Sequence, residues 1–246
     1  MPFDPDTAIG GARDRFPSTR LSLIESVSAG DALRSDALDQ VAALYWKPVY
    51  KYIRLKWSKS NEEAKDLTQG FFASALEREL FERFDPRQAS FRTYLRMALD
   101  HFTANEHAAE HRLKRGGNMS FTALDFAAAD ADAFQIPVSD SPEDVFHREW
   151  QRQLFALAVQ DLRVYCDRHG KQLQFRIFEE YDLADAERPV YSELATRHGI
   201  SVTSITNFLA WARRMLRSFV TERLRGVTSG DRELRGEMRS VFGRPR

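Results

Sequence analysis

Residues 191–217 read YSELATRHGISVTSITNFLAWARRMLR, two short amphipathic stretches split by a glycine, and they constrain the fold more than any other part of the chain. Leu194 and Ala195 suit the inner face of a first helix, Gly199 supplies the turn, and Ile200 closes the core between the two helices. Ser201 predicts an N-cap, because its hydroxyl can accept a free N–H of the first turn. Ile205, Phe208, Leu209, Ala212 and Leu216 then follow at helical spacing. The opposite face carries Thr203, Ser204, Thr206, Asn207, Arg213, Arg214 and Arg217. This is the pattern of a helix-turn-helix, which places its second helix in the DNA major groove. Ser201, Thr203, Ser204, Thr206 and Asn207 suit base edges, and Arg213 and Arg214 suit phosphates. A plain helical hairpin buried in a core has the same periodicity and is the alternative at this point.

Charge sharpens the DNA reading. The formal net charge of the 246 residues is zero, yet residues 191–246 hold 11 arginines against 5 acidic residues, a balance of +6 that leaves −6 for residues 1–190. A polyanion partner therefore meets the C-terminal part. Residues 118–147 carry six acidic residues (Asp125, Asp130, Asp132, Asp140, Glu143 and Asp144) and no Lys or Arg. With Pro137, Pro142 and little helical periodicity, they read as an interdomain linker. No stretch approaches the roughly 18 apolar residues of a membrane span, and the opening MPFDPDTAIGGARDR has neither the basic start nor the apolar run of a signal peptide. The single Cys166 excludes an internal disulfide and sits in an apolar helical run that predicts a buried thiol. A reducing cytoplasmic location is expected.

The first domain is predicted over 16–117. Ser18 can cap a short helix. A helix over 36–53 places Leu38, Val41, Leu44, Tyr45 and Val49 on one side, with Pro48 expected to kink it. The next helix starts after Ser60, with Glu62 and Glu63 favouring its dipole, Leu67, Phe71 and Ala75 facing a core, and Glu62, Asp66 and Gln69 facing out. After an Asp85-Pro86 turn, Ser90 caps a long helix expected to reach about Arg115. On it Phe91, Tyr94, Leu95, Ala98, Leu99, Phe102 and Leu113 alternate with Arg92, Arg96, Asn105, Arg112, Lys114 and Arg115. Aromatics beside cations are what an unstacked single strand needs, at roughly 1–3 kcal/mol per stacked base. A core helix with a solvated face accounts for the same pattern.

Taken together, YWKPVYKYIR, EEAKDLTQGFF and FRTYLRMALDHFTANEHAAEHRLKRG resemble region 2 of bacterial sigma-70-type RNA polymerase sigma factors, and residues 191–217 resemble region 4. The chain is most similar to the small extracytoplasmic-function (ECF) type, in which an acidic linker joins the two regions. The resemblance implies that Asp66, Gln69 and Phe72 bind the β′ clamp helices of core polymerase. It implies that Arg92, Tyr94, Arg96, Asn105, Arg112 and Lys114 capture and melt the promoter −10 element. The helix-turn-helix would read the −35 element as duplex, and the linker would thread the positively charged channel where RNA later exits, against the β subunit. No chemistry and no cofactor are implied, since the polymerase supplies catalysis.

Some positions depart from the family pattern. Lys65 stands where many relatives carry an acidic residue, which points to lower or regulated polymerase affinity. Thr68 beside it is either a structural threonine or a target of a Ser/Thr kinase, since a phosphate there adds about −1.5 to −2 charge; an anti-sigma factor is the other expected regulator. The tail 226–246, with Arg232, Arg235, Arg239, Arg244 and Arg246, is expected to be solvated and frayed. Two rivals stand beside the sigma reading. A stand-alone helix-turn-helix regulator explains residues 191–217 but leaves DLTQGFF unaccounted for. His107-Ala-Ala-Glu110-His111 matches the H-x-x-E-H zinc-protease motif, with Glu143 or Glu149 as a third ligand, but its neighbours Arg112, Lys114 and Arg115 disfavour a cation. The expected architecture is all-α: a flexible arm over 1–15, a region 2-like domain over 16–117, a flexible acidic linker over 118–147, a helix-turn-helix domain over 148–225 and a basic tail over 226–246.

Overall fold

The computed structural model describes residues 31–77, 83–110, 140–184 and 187–243. Among them every regular element is helical, as the sequence predicts: α1 (Asp31–Lys56), α2 (Asn61–Glu77), α3 (Phe91–Glu110), α4 (Pro142–Arg168), α5 (Gln172–Phe178) with a π turn at Glu179–Leu183, α6 (Tyr191–His198), α7 (Val202–Gly226) and α8 (Asp231–Phe242). The short helix capped by Ser18, the arm over 1–15, and residues 111–139 with Arg112, Lys114 and most of the acidic stretch lie outside the described residues.

Local chemistry sets the boundaries. At α2, Ser60 Oγ accepts the Glu63 N–H while a Glu63 carboxylate oxygen accepts the Ser60 N–H at 2.9 Å, a reciprocal capping box. The Ser60 hydroxyl, which donates to the same carboxylate at 2.7 Å, and then the Ser60 N–H hold the Glu63 carboxyl down from its ordinary 4.5 to about 2. At α3, Ser90 Oγ accepts the Thr93 N–H, and the Asp85 carboxylate closes the preceding turn on the Arg87 N–H at 3.0 Å. α1 begins five residues before its predicted start and runs on through Pro48. α4 begins at Pro142, inside the stretch that reads as linker. Ser141 caps it and Pro142 occupies its first turn, where the missing N–H costs nothing, so Glu143, Asp144 and His147 belong to a helix.

Two clusters of buried side chains form the core. One gathers Val41, Tyr45 and Val49 of α1, Leu67, Phe71 and Ala75 of α2, and Phe91, Leu95 and Leu99 of α3 with Phe146, Trp150 and Leu154 of α4. The other gathers Leu162 and Cys166 of α4, Phe175 and Phe178 of α5, Leu194 and Ala195 of α6, and Ile205, Leu209 and Ala212 of α7. α4 therefore serves both, its first half one cluster and its second half the other. α7 does the same in reverse, because Val220 and Leu224 join the first cluster. Edge-to-face contacts knit the first cluster, with Tyr45–Phe91 and Tyr52–Phe146 centroids each 5.7 Å apart, worth about 0.5–1.5 kcal/mol per pair beyond burial. Gly70 permits the close approach of α2 and α3, since a Cβ there would lie 3.3 Å from the Phe102 ring. Lys51 and Glu149 pair at 2.9 Å in the interior between α1 and α4.

The tail corrects an expectation. Residues 231–242 form α8, which docks Leu234, Met238, Val241 and Phe242 against the first cluster. Those residues stand at i, i+4, i+7 and i+8, an apolar helical stripe hidden among arginines.

Candidate nucleic-acid interfaces

The helix-turn-helix forms as the spacing predicts. Gly199 ends α6 in the left-handed region at φ 67°, a conformation that disfavours any Cβ, and the Ile200 N–H returns to Ala195 O at 3.0 Å. Ser201 Oγ accepts the Ser204 N–H at 3.0 Å and caps α7. Behind this frame Leu194, Ile205, Leu209 and Ala212 are buried, whereas Ser201, Thr203, Thr206 and Asn207 are exposed and Ser204 is half-buried on the outer face. α7 extends nine residues past Arg217, to Gly226, because Val220 and Leu224 continue its apolar stripe.

The arginines of α7 are less free than the sequence suggests. Arg213 makes a two-pronged pair with Asp182, Nε and Nη2 each 2.8 Å from a carboxylate oxygen, and its guanidinium lies over Tyr181. Arg217 stacks on Phe242 of α8, 4.3 Å from the ring centre. Arg214 is exposed. The π turn organises this end of the molecule, since each of its acids takes one arginine: Glu179 with Arg163 at 2.6 Å, Glu180 with Arg197 at 2.8 Å and Asp182 with Arg213.

The cationic aromatic helix α3 is presented differently. Arg92 lies over the Trp150 ring at 4.3 Å, meets His147 Nδ1 with Nη1, and pairs through Nη2 with Glu237 of α8 at 3.3 Å. Burial, and then the Arg92 charge, push the His147 pKa down, which keeps the ring neutral and able to accept from Arg92. Arg96 pairs with Glu143 at 3.1 Å. Tyr94 is half-buried against Phe84, and Asn105 is exposed. A cleft of about 250 Å³ opens where Arg92, Arg96, Glu143, His147 and Ser240 converge. Sequence reasoning missed these partners because they lie far along the chain and sit on stretches read as linker and tail.

On α2, Asp66 is exposed and Gln69 half-buried on one face, but Phe72 is 4 % exposed and packs edge-to-face on Phe71, so its ring belongs to the core. Lys65 pairs with Glu62 at 2.8 Å, which offsets its charge beside Asp66. Thr68 is fully buried and donates to Ala64 O at 2.7 Å, the structural role. Glu143 and Glu149, the candidate third zinc ligands, are committed instead: Glu143 to Tyr52, Lys56 and Arg96, and Glu149 to Lys51 and Arg152. His111 lies outside the described residues, and among those described no three potential ligands cluster to hold a metal ion. No helix among the described residues is long and apolar enough to cross a membrane.

Compared with known families, the chain matches the family model described as ECF sigma factor over residues 19–222. No match arises among the curated proteins or the solved structures.

Proposed function

The chain belongs to the ECF sigma factor family and acts in transcription initiation, and we propose that it does so by docking on core RNA polymerase through α2 and holding a promoter at two separate places. The observation that carries this reading is the pairing of a polar, solvent-facing first turn on a well-formed recognition helix with a second, cationic aromatic helix some hundred positions earlier in the chain. The exposed Thr203, Thr206 and Asn207 read duplex base edges in the −35 element, and Arg214 meets phosphate. Arg213 joins once it leaves Asp182. Arg92, Tyr94, Arg96 and Asn105 of α3, together with Arg112 and Lys114 further along the chain, take up the −10 strand as it unpairs, by stacking and charge. Asp66 and Gln69 present a carboxylate and an amide to the polymerase clamp, while Phe72 shapes that face from beneath.

Two substitutions separate the surfaces. Asp66→Arg reverses an exposed charge on α2 and is expected to abolish co-elution with purified core polymerase while leaving duplex DNA binding intact. Arg213→Ala is expected to do the opposite, lowering duplex affinity and leaving co-elution unchanged. If both lost only duplex binding, the polymerase-independent regulator would be the correct account.

A further inference from the structure

We infer that α8 is an internal latch, which occupies the promoter-facing end of α3 and withholds Arg92 from DNA until it is displaced; this rests on the sigma reading of α3 given above. The helix lies beyond the residues that match the family, 231–242 against 19–222. It reaches back 93 to 145 positions to make three polar contacts. Glu233 accepts the first N–H of α3, that of Phe91, at 2.9 Å. Glu237 takes the Arg92 guanidinium at 3.3 Å. The neutral His147 that accepts from Arg92 turns its Nε2 to Ser240 Oγ at 3.3 Å.

Two of these contacts set a carboxylate where a DNA phosphate would sit. A helix N-terminus and a guanidinium are the two groups best suited to bind an anion, and α8 fills both with its own acids. The arrangement is poised to release. Glu237 is 7 % exposed beside the Arg92 guanidinium, and burial raises its pKa, so its charge is held at a cost that unlatching would relieve. The apolar side of the helix is short, Leu234, Met238, Val241 and Phe242, with Phe242 edge-on to Phe155 at 5.9 Å and under Arg217. The same helix thus holds one arginine from each DNA surface, Arg92 of α3 through Glu237 and Arg217 of α7 through Phe242.

The test uses the full chain, a fluorescein-labelled random-sequence single-stranded 20-mer read by anisotropy, amide hydrogen exchange across α3 and α8, and co-elution with core polymerase. Glu233→Gln/Glu237→Gln removes both charges while keeping a side-chain oxygen for the Ser229 N–H and hydroxyl that bond Glu233 at the start of α8. Phe242→Ala loosens the latch without changing charge, and Glu187→Gln/Glu222→Gln matches the charge change at one exposed and one half-buried site outside α3 and α8. The expected result is about tenfold tighter single-strand binding in the first two variants, the gain when a competent tenth of the population becomes nearly all of it. α8 loses exchange protection in both, and the control shows neither change. Unchanged single-strand affinity with α8 released would overturn the latch, as would an α8 that stays protected without its acids, or an equal gain in the control. Co-elution keeps the two readings apart: a chain that binds polymerase but shows no gain loses only the latch, and one that gains but never binds polymerase loses only the sigma mechanism.

Discussion

The helix-turn-helix and the α3 helix both meet DNA in the proposed function, yet one shows its chemistry to solvent and the other has it engaged. On α7 the groups proposed to read bases are short and lie within eight residues of Gly199, so Thr203, Thr206 and Asn207 project outward whatever the rest of the chain does. On α3 the chemistry rests on long cations, and Arg92 and Arg96 are claimed by Glu237, His147 and Glu143 from 47 to 145 positions away. A short polar side chain is specified by its own helix. A long cation goes to whichever acid the fold brings near.

The largest expected effect breaks this contrast at its hinge. Trp150 is buried beneath the Arg92 guanidinium, and Trp150→Ala should cost about 3–5 kcal/mol in thermal or denaturant unfolding followed by circular dichroism. Amide exchange should rise in α3 before it rises in α6. Next in size, Asn207→Ala should remove about 1–3 kcal/mol of discrimination on duplexes selected from a random library, with no loss of stability, because Asn207 touches no core.

A smaller effect sharpens the comparison by removing from α7 a restraint of the kind that holds the α3 cations. Arg213 is restrained by Asp182, and an exposed ion pair is worth at most about 1 kcal/mol, so Asp182→Ala should strengthen duplex binding by up to about fivefold. Arg213→Ala should instead lower the salt slope of that binding by about 1. The smallest effect concerns pH. The folded pKa of Glu63 lies below its unfolded value, so the capping box contributes fully above about 4.5 and is lost as pH falls toward 2. Exchange at the first turn of α2 should rise across that window, while the first turn of α7, capped by the uncharged Ser201, should not respond through its cap.

What was legible in the sequence was local. Gly199 and Ser201, followed by the stripe Ile205, Leu209 and Ala212, specify the helix-turn-helix within twenty residues, and Ser60 with Glu63 specifies the start of α2. The signals that went unread were overridden by a louder one nearby. Five arginines after residue 225 drew attention from the stripe that docks α8, and two acids at 143 and 144 masked the Ser141-Pro142 start of α4. Phe72 looked like a surface anchor because it neighbours Asp66 and Gln69, but its ring turns to Phe71 in the core. The pairing of Arg92 with Glu237 has no local signature, since only tertiary packing places α8 against α3.

The central claim, that two DNA surfaces on this chain act together on a polymerase, is met most directly by run-off transcription with purified core RNA polymerase on a library of genomic fragments, sequencing new 5′ ends with and without the protein. The account predicts new start sites that share one −10 and one −35 element, lost with Asp66→Arg. An unchanged set of 5′ ends, from a preparation that neither binds core polymerase nor redirects it, would contradict the account.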